Sequence, residues 1–190
     1  MTQRVADSEI DRAMKIARFA KHQHAVMERV LKGSLDSEEV IRAVQALIDR
    51  GGKRITIDYR LSLAEMIAVG RFDWTNDFIT SAYFPITETD AKDIVVELVH
   101  FDRSISSETA VAEMAKRGLR PATLTELLAY GAAFPEDQRK FQIVALGIEA
   151  LLGGSRIVSC IGGEIAGRYL DFRLMDGAWD GDYRFLAVRN

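Results

Sequence analysis

The sequence predicts an α+β domain with a mostly antiparallel sheet, preceded by a helical extension. Three observations carry that expectation. Apolar residues recur at helical spacing from the amino terminus to Gly51. Two short capped helices follow a strong strand in the middle of the chain. The last third is a run of alternating, β-branched segments separated by glycines. Helices segregated from a run of strands argue against a doubly wound parallel sheet.

Residues 7 to 49 read as two helices. Ile10, Met14, Ala17 and Ala20, continued by Val26, Val30 and Leu31, form one apolar stripe. Val40, Ile41, Val44, Leu47 and Ile48 form the next, after the capping run from Ser34 to Glu39. Gly51-Gly52 ends the unit, so the expected division is a helical extension over 1–52 and a second domain over 53–190. Its apolar faces can pack on that domain or on another copy, so a homo-oligomer through these helices stays open.

In the second domain Ile55–Tyr59 alternates as a short strand, and Leu61–Ala68 as a helix stopped near Gly70. Phe72-Asp73-Trp74 and Tyr83-Phe84-Pro85 read as aromatic loop anchors; Asp73-Trp74-Thr75-Asn76-Asp77 also fits a functional loop, though aromatic loop residues more often pin a loop to the domain. Ile94–Phe101 is a buried strand. Ser106 or Ser107 caps a helix closed by Gly118, and Thr123 with Glu126 forms a capping box for the next. Four strands are expected at Phe141–Leu146, Arg156–Ile161, Arg168–Met175 and Arg184–Arg189. Their polar content predicts a sheet with much of one side exposed.

The chain has 190 residues, 48% hydrophobic and 28% charged, with a formal net charge of -3. That balance excludes disorder and gives no electrostatic footprint for nucleic acid or an anionic membrane. No apolar run reaches the ~18–20 residues of a membrane span. The charged start, MTQRVADSEIDRAMK, lacks the centre of a secretory signal. Cys160 is the only cysteine, so no internal disulfide forms, and a cytoplasmic location is expected.

The run Gly118-Leu119-Arg120-Pro121-Ala122-Thr123-Leu124-Thr125-Glu126-Leu127-Leu128 resembles an element of the formylglycine-generating branch of the C-type lectin fold. The ending Tyr183-Arg184-Phe185-Leu186-Ala187-Val188-Arg189-Asn190 resembles that branch's closing strand. The segment from about 148 to 190 further resembles the variable region of diversity-generating retroelement target proteins. In those, codons are rewritten at adenines and a lectin-like scaffold displays the altered side chains. The frame here is Leu170, Phe172, Leu174, Trp179 and Tyr183 to Arg189. The resemblance implies a C-type lectin-like fold with two short helices, and a surface whose side chains are replaceable. Leu127 stands where the catalytic relatives carry tryptophan, and their active cysteines have no counterpart.

The candidate binding surface is the set interleaved with that frame: Tyr169, Asp171, Arg173, Met175, Asp176, Gly177, Trp179, Asp180 and Asp182, with Cys160 and Gly162 at its margin. Aromatic residues and arginine dominate binding energy at interfaces. The frame can also claim Trp179 as scaffold. The alternating set also fits an ordinary solvated sheet face. The expected function is therefore non-enzymatic binding of a protein or other macromolecular ligand, with no cofactor, no nucleic acid and no membrane. The rival is a small enzyme using Cys160, and a third reading is a purely structural domain. A cysteine nucleophile needs a base. His22 and His24 lie two apart on a helix, and His100 beside Asp102 fits a structural histidine. No His/Cys/Asp spacing matches a zinc site, and Gly51-Gly52-Lys53-Arg54 lacks the spacing of a phosphate loop. Asp176, Asp180 and Asp182 fit solvated turns better than a calcium loop.

Overall fold

The computed structural model describes residues 52–190. The extension expected over 1–52 (save Gly52), its two histidines and any self-association through it lie outside the described residues. The described chain runs β1 (Lys53–Asp58), α1 (Leu63–Gly70), β2 (Trp74–Thr75), β3 (Ala91–Val99), β4 (Ile105–Ser106), α2 (Ser107–Lys116), β5 (Leu119–Pro121), α3 (Leu124–Ala133), β6 (Ile143–Leu152), β7 (Ser155–Glu164), β8 (Gly167–Leu174), β9 (Ala178–Trp179) and β10 (Arg184–Arg189). It is a mixed fold of helices and a large, mostly antiparallel sheet.

The helices start where side chains satisfy their free N–H groups. Ser62 and Glu65 form a capping box on α1, Ser106 accepts from Thr109 at α2, and Thr123 and Glu126 form the expected box on α3. Glu126 does more than cap. Its carboxylate, 1% exposed, also takes the two-pronged Arg120 guanidinium at 3.0 and 2.6 Å. A buried carboxylate survives only with such charge-assisted partners. The Arg-Pro-Ala-Thr run is thus held onto α3 by the acid that starts the helix.

The main sheet has eight strands. Seven follow the order β1-β3-β10-β6-β7-β8-β2, and β5 pairs beside β10. β10 with β6 and β2 with β8 are parallel pairs, and every other pair is antiparallel. β4 and β9 make a separate ladder. The chain's last strand therefore lies inside the sheet, so its apolar run is buried from both directions.

Side-chain alternation sends β6, β7 and β10 into two cores. Ile143, Ala145, Ile157, Ile161, Leu186 and Val188 meet Leu63 and Met66 of α1 and Leu124, Leu127 and Leu128 of α3. Val144, Leu146, Val158, Cys160, Phe185 and Ala187 meet Ala110 and Met114 of α2, with Ile105 and Trp179. The sheet centre is thus covered on both faces, which corrects the expectation of one largely exposed side. β6 also runs to Leu152, past Gly147, where a strand end was expected. Its register with β7 shifts between Ala145 and Glu149, a bulge. A β-carbon on Gly147 would lie 2.6 Å from the Ala122 carbonyl oxygen, to which the Gly147 N–H donates at 2.8 Å. Glycine at a bulge lets another backbone approach closely.

Arg168, at the start of β8, is 7% exposed. Its guanidinium donates to the carbonyls of Gly70 and Arg71 at the end of α1 and of Gly131 in the last turn of α3. The Gln138 amide oxygen, turned toward it, accepts at 3.1 and 2.8 Å. Helix C-termini carry unpaired carbonyls and partial negative charge, so a buried cation is stabilised there. Replacing it with an apolar side chain leaves those carbonyls without a donor. Arg168→Met is expected to lower stability by at least about 3 kcal/mol, read as a lower urea midpoint at unchanged slope. An unchanged midpoint would show that the guanidinium is dispensable.

Candidate functional site

Strand β8 divides its side chains as the alternation predicts at its centre. Leu170 is fully buried, and Phe172 packs half-buried on the same core. Tyr169, Asp171 and Arg173 lie half-buried on the opposite face. Leu174 departs from its scaffold role, being 58% exposed, because it ends the strand beyond the core.

The register places Gly162 opposite Tyr169, Cys160 opposite Asp171 and Val158 opposite Arg173. The Tyr169 ring lies across Gly162, where an added β-carbon would fall 2.3 Å from the phenol oxygen. The aromatic side chain fills what the glycine leaves bare. Arg173 pairs with the Asp171 carboxylate, donates to the Phe172 carbonyl at 2.9 Å and to Gln142 Oε1 at 3.4 Å. Its guanidinium stands 5.9 Å over the Tyr169 ring. Asp171 Oδ1 accepts from Asn76 Nδ2 at 2.9 Å and from the Phe172 N–H at 2.8 Å. Burial pushes the Tyr169 phenol up to about 12.

These residues line a cleft of about 480 Å³ with Asp73, Trp74, Glu164, Ala166, Gly167 and Arg168. Trp74 on β2 sits in register with Tyr169 and is 52% exposed. Asp73 fixes β2 by accepting the Arg168 backbone N–H at 2.7 Å and donating its own N–H to the Arg168 carbonyl at 2.8 Å. The loop-anchor reading of Trp74 is corrected: its neighbours are held, while its indole faces the cleft. A two-residue strand carries no periodicity, so its only trace in the sequence is an aromatic among polar residues. Glu164, the last residue of β7, and Ala166, in the turn after it, lie beyond the strand expected over Arg156–Ile161 and were missed.

The other expected site residues are placed differently. Cys160 and Trp179 belong to the second core, 0% and 5% exposed, so neither side chain reaches a partner. Burial pushes the Cys160 thiol up to about 12. Trp179 donates its indole N–H to Ser107 Oγ at 2.8 Å and meets Tyr183 and Phe185 edge-on. Ser107, a rival helix cap in the sequence, donates its own O–H to the Met175 carbonyl at 2.7 Å. Met175 is half-buried against that core. Asp176 is exposed, and its carboxylate accepts from Arg156 Nε at 3.0 Å; Arg156 also reaches Glu108 and Glu149. Gly177, at φ +117° with open space around it, forms the turn. Asp180 and Asp182 are exposed. Among the described residues, no three His, Cys, Asp or Glu side chains are grouped to hold a metal ion. His100 Nε2 lies 2.7 Å from the Gly181 carbonyl and holds that loop. The structure thus gathers Tyr169, Asp171 and Arg173 at one cleft, with Gly162 buried beneath the Tyr169 ring, whereas Met175 to Asp182 line no part of it.

The chain matches no protein-family model, no curated protein and no solved structure. Among the described residues, no helix is long and apolar enough to cross a membrane.

Two measurements check the site. The Cys160 thiol is expected to resist Ellman's reagent at pH 8 in the folded protein and to react fully in urea. Because its folded pKa lies above the ordinary value of 9.0, the unfolded chain loses that proton first. Its contribution is present below pH 9 and declines toward pH 12. Gly162→Ala is expected to cost about 1–3 kcal/mol by displacing the Tyr169 ring. The cost should fall by at least half in a Tyr169→Ala background, and equal costs in both would refute the contact.

Proposed function

We propose that this protein is a non-enzymatic binding protein of the diversity-generating retroelement class, presenting replaceable side chains on a C-type lectin-like scaffold to a protein or other macromolecular ligand. The observation that carries the reading is the division along β8. Leu170 and Phe172 belong to the core, while Tyr169, Asp171 and Arg173 interlock chiefly with one another and with β2 over an open cleft. A frame that owes little to its outer side chains lets them change. The resemblance of the segment from about 148 to 190 to a retroelement variable region supports the same conclusion.

The rival reading, with Cys160 as a nucleophile, requires access and a thiolate. A fully buried thiol with a raised pKa has neither, which favours the binding reading. Changing Tyr169→Ser, Asp171→Asn and Arg173→Ser together tests it. Stability should fall by only about 1–2 kcal/mol, since half-exposed polar groups contribute little. Leu170→Ala alone should cost roughly 2–5 kcal/mol. A triple variant that unfolds as readily as Leu170→Ala would make the outer set structural and end the display reading.

A further inference from the structure

We propose that the cleft between β2 and β8 receives a cationic side chain, lysine or arginine, from an exposed basic segment of a partner protein, with Trp74 as its fixed aromatic wall. This rests on the binding reading above and names the chemistry of its ligand.

Charge decides the sign of the ligand. Three carboxylates, Asp73, Glu164 and Asp171, line the cleft against two guanidiniums, Arg168 and Arg173. Both cations are committed: Arg168 is buried on helix-end carbonyls and Gln138, and Arg173 is taken by Asp171, the Phe172 carbonyl and Gln142. An anionic ligand would have to break one of those sets. Asp171 is neutralised by Arg173, and the Arg168 charge, held on neutral acceptors, offsets Asp73 beside it, so one surplus negative charge remains, on the exposed Glu164.

The aromatic surface agrees with that sign. Tyr169 is already occupied, by Gly162 beneath it and Arg173 beside it. Trp74, next to it on β2, leaves half its surface open. An indole face is the strongest side-chain acceptor for a cation, at about 0.5–2 kcal/mol. At the turn between Glu164 and Ala166, both in the cleft wall, Ile165 projects fully into solvent. Trp74 and Asp73 lie outside the replaceable segment, so the aromatic wall would persist while the charges and side chains around it changed.

Titration of the full-length protein with blocked Gly-Gly-Xaa-Gly-Gly peptides, where Xaa is Arg, Lys, Glu or Leu, tests this by the indole N–H resonances in a nitrogen–proton correlation spectrum. Trp74 and Trp179 report separately. The Arg and Lys peptides should shift Trp74 saturably and leave buried Trp179 in place, with affinity falling as salt rises. Trp74→Ala should weaken binding about tenfold, read then from the Gly167 and Tyr169 amides. Glu164→Gln should weaken it about threefold, the scale of an exposed charge pair. Glu or Leu peptides that shift Trp74 as strongly, or Arg and Lys peptides that leave it unmoved, would overturn the assignment. Such a failure is separable from the display reading, which stands or falls with the triple variant and Leu170→Ala.

Discussion

The arrangement hangs on one buried cation. Arg168 sits where the carbonyl ends of α1 and α3 converge, and its own backbone exchanges hydrogen bonds with Asp73. The guanidinium satisfies acceptors that no helix can satisfy internally, in a place where two helix termini favour positive charge. Its backbone sets β2 alongside β8 and so stations Trp74 beside Tyr169. One residue links the core layer of helices to the edge where the cleft opens. The cleft is therefore a consequence of how the helices end.

The second constraint is two-sided burial. β6, β7 and β10 send alternate side chains into separate cores, so their register cannot slip by one residue without exchanging the two sets. β8 belongs to this block through its pairing with β7, yet only its Leu170 and Phe172 face is filled. Its other face is half-open and interlocks locally, Arg173 with Asp171 and Tyr169 with Gly162. The core and the cleft thus draw on different side chains of one strand. On the function proposed above, that separation would let the outer side chains vary without loss of their support.

The major elements were legible in the sequence because each has many repeats of its period or a cap at its start. The α3 box of Thr123 and Glu126 and the alternation of β8 are the clearest cases. Elements of two or three residues, β2, β4, β5 and β9, have too few repeats to show, and the place of Trp74 beside β8 was hidden with them. The strand expected over Phe141–Leu146 stops short at Gly147, because a bulge and a terminus share the same residue type. In Arg156–Ile161 both parities are apolar, a sign of burial on two faces, yet Cys160 was placed at the margin of the exposed surface. Glu126 was legible as a cap, but its pairing with Arg120 follows no helical or strand spacing. The candidate site was half legible: Tyr169, Asp171 and Arg173 came from the alternation, while Trp74, Glu164 and the supporting Arg168 depend on contacts between distant parts of the chain.

The most direct measurement is to sequence the locus around the codons for residues 148 to 190 and compare that stretch with any near-copy beside a reverse transcriptase gene. The account predicts a near-copy that differs at adenines in the codons of Tyr169, Asp171 and Arg173. The codons of Leu170, Phe172 and Phe185 to Val188 should be identical in both. Differences spread equally over the buried codons, or no near-copy at all, would contradict a scaffold whose outer face alone is rewritten.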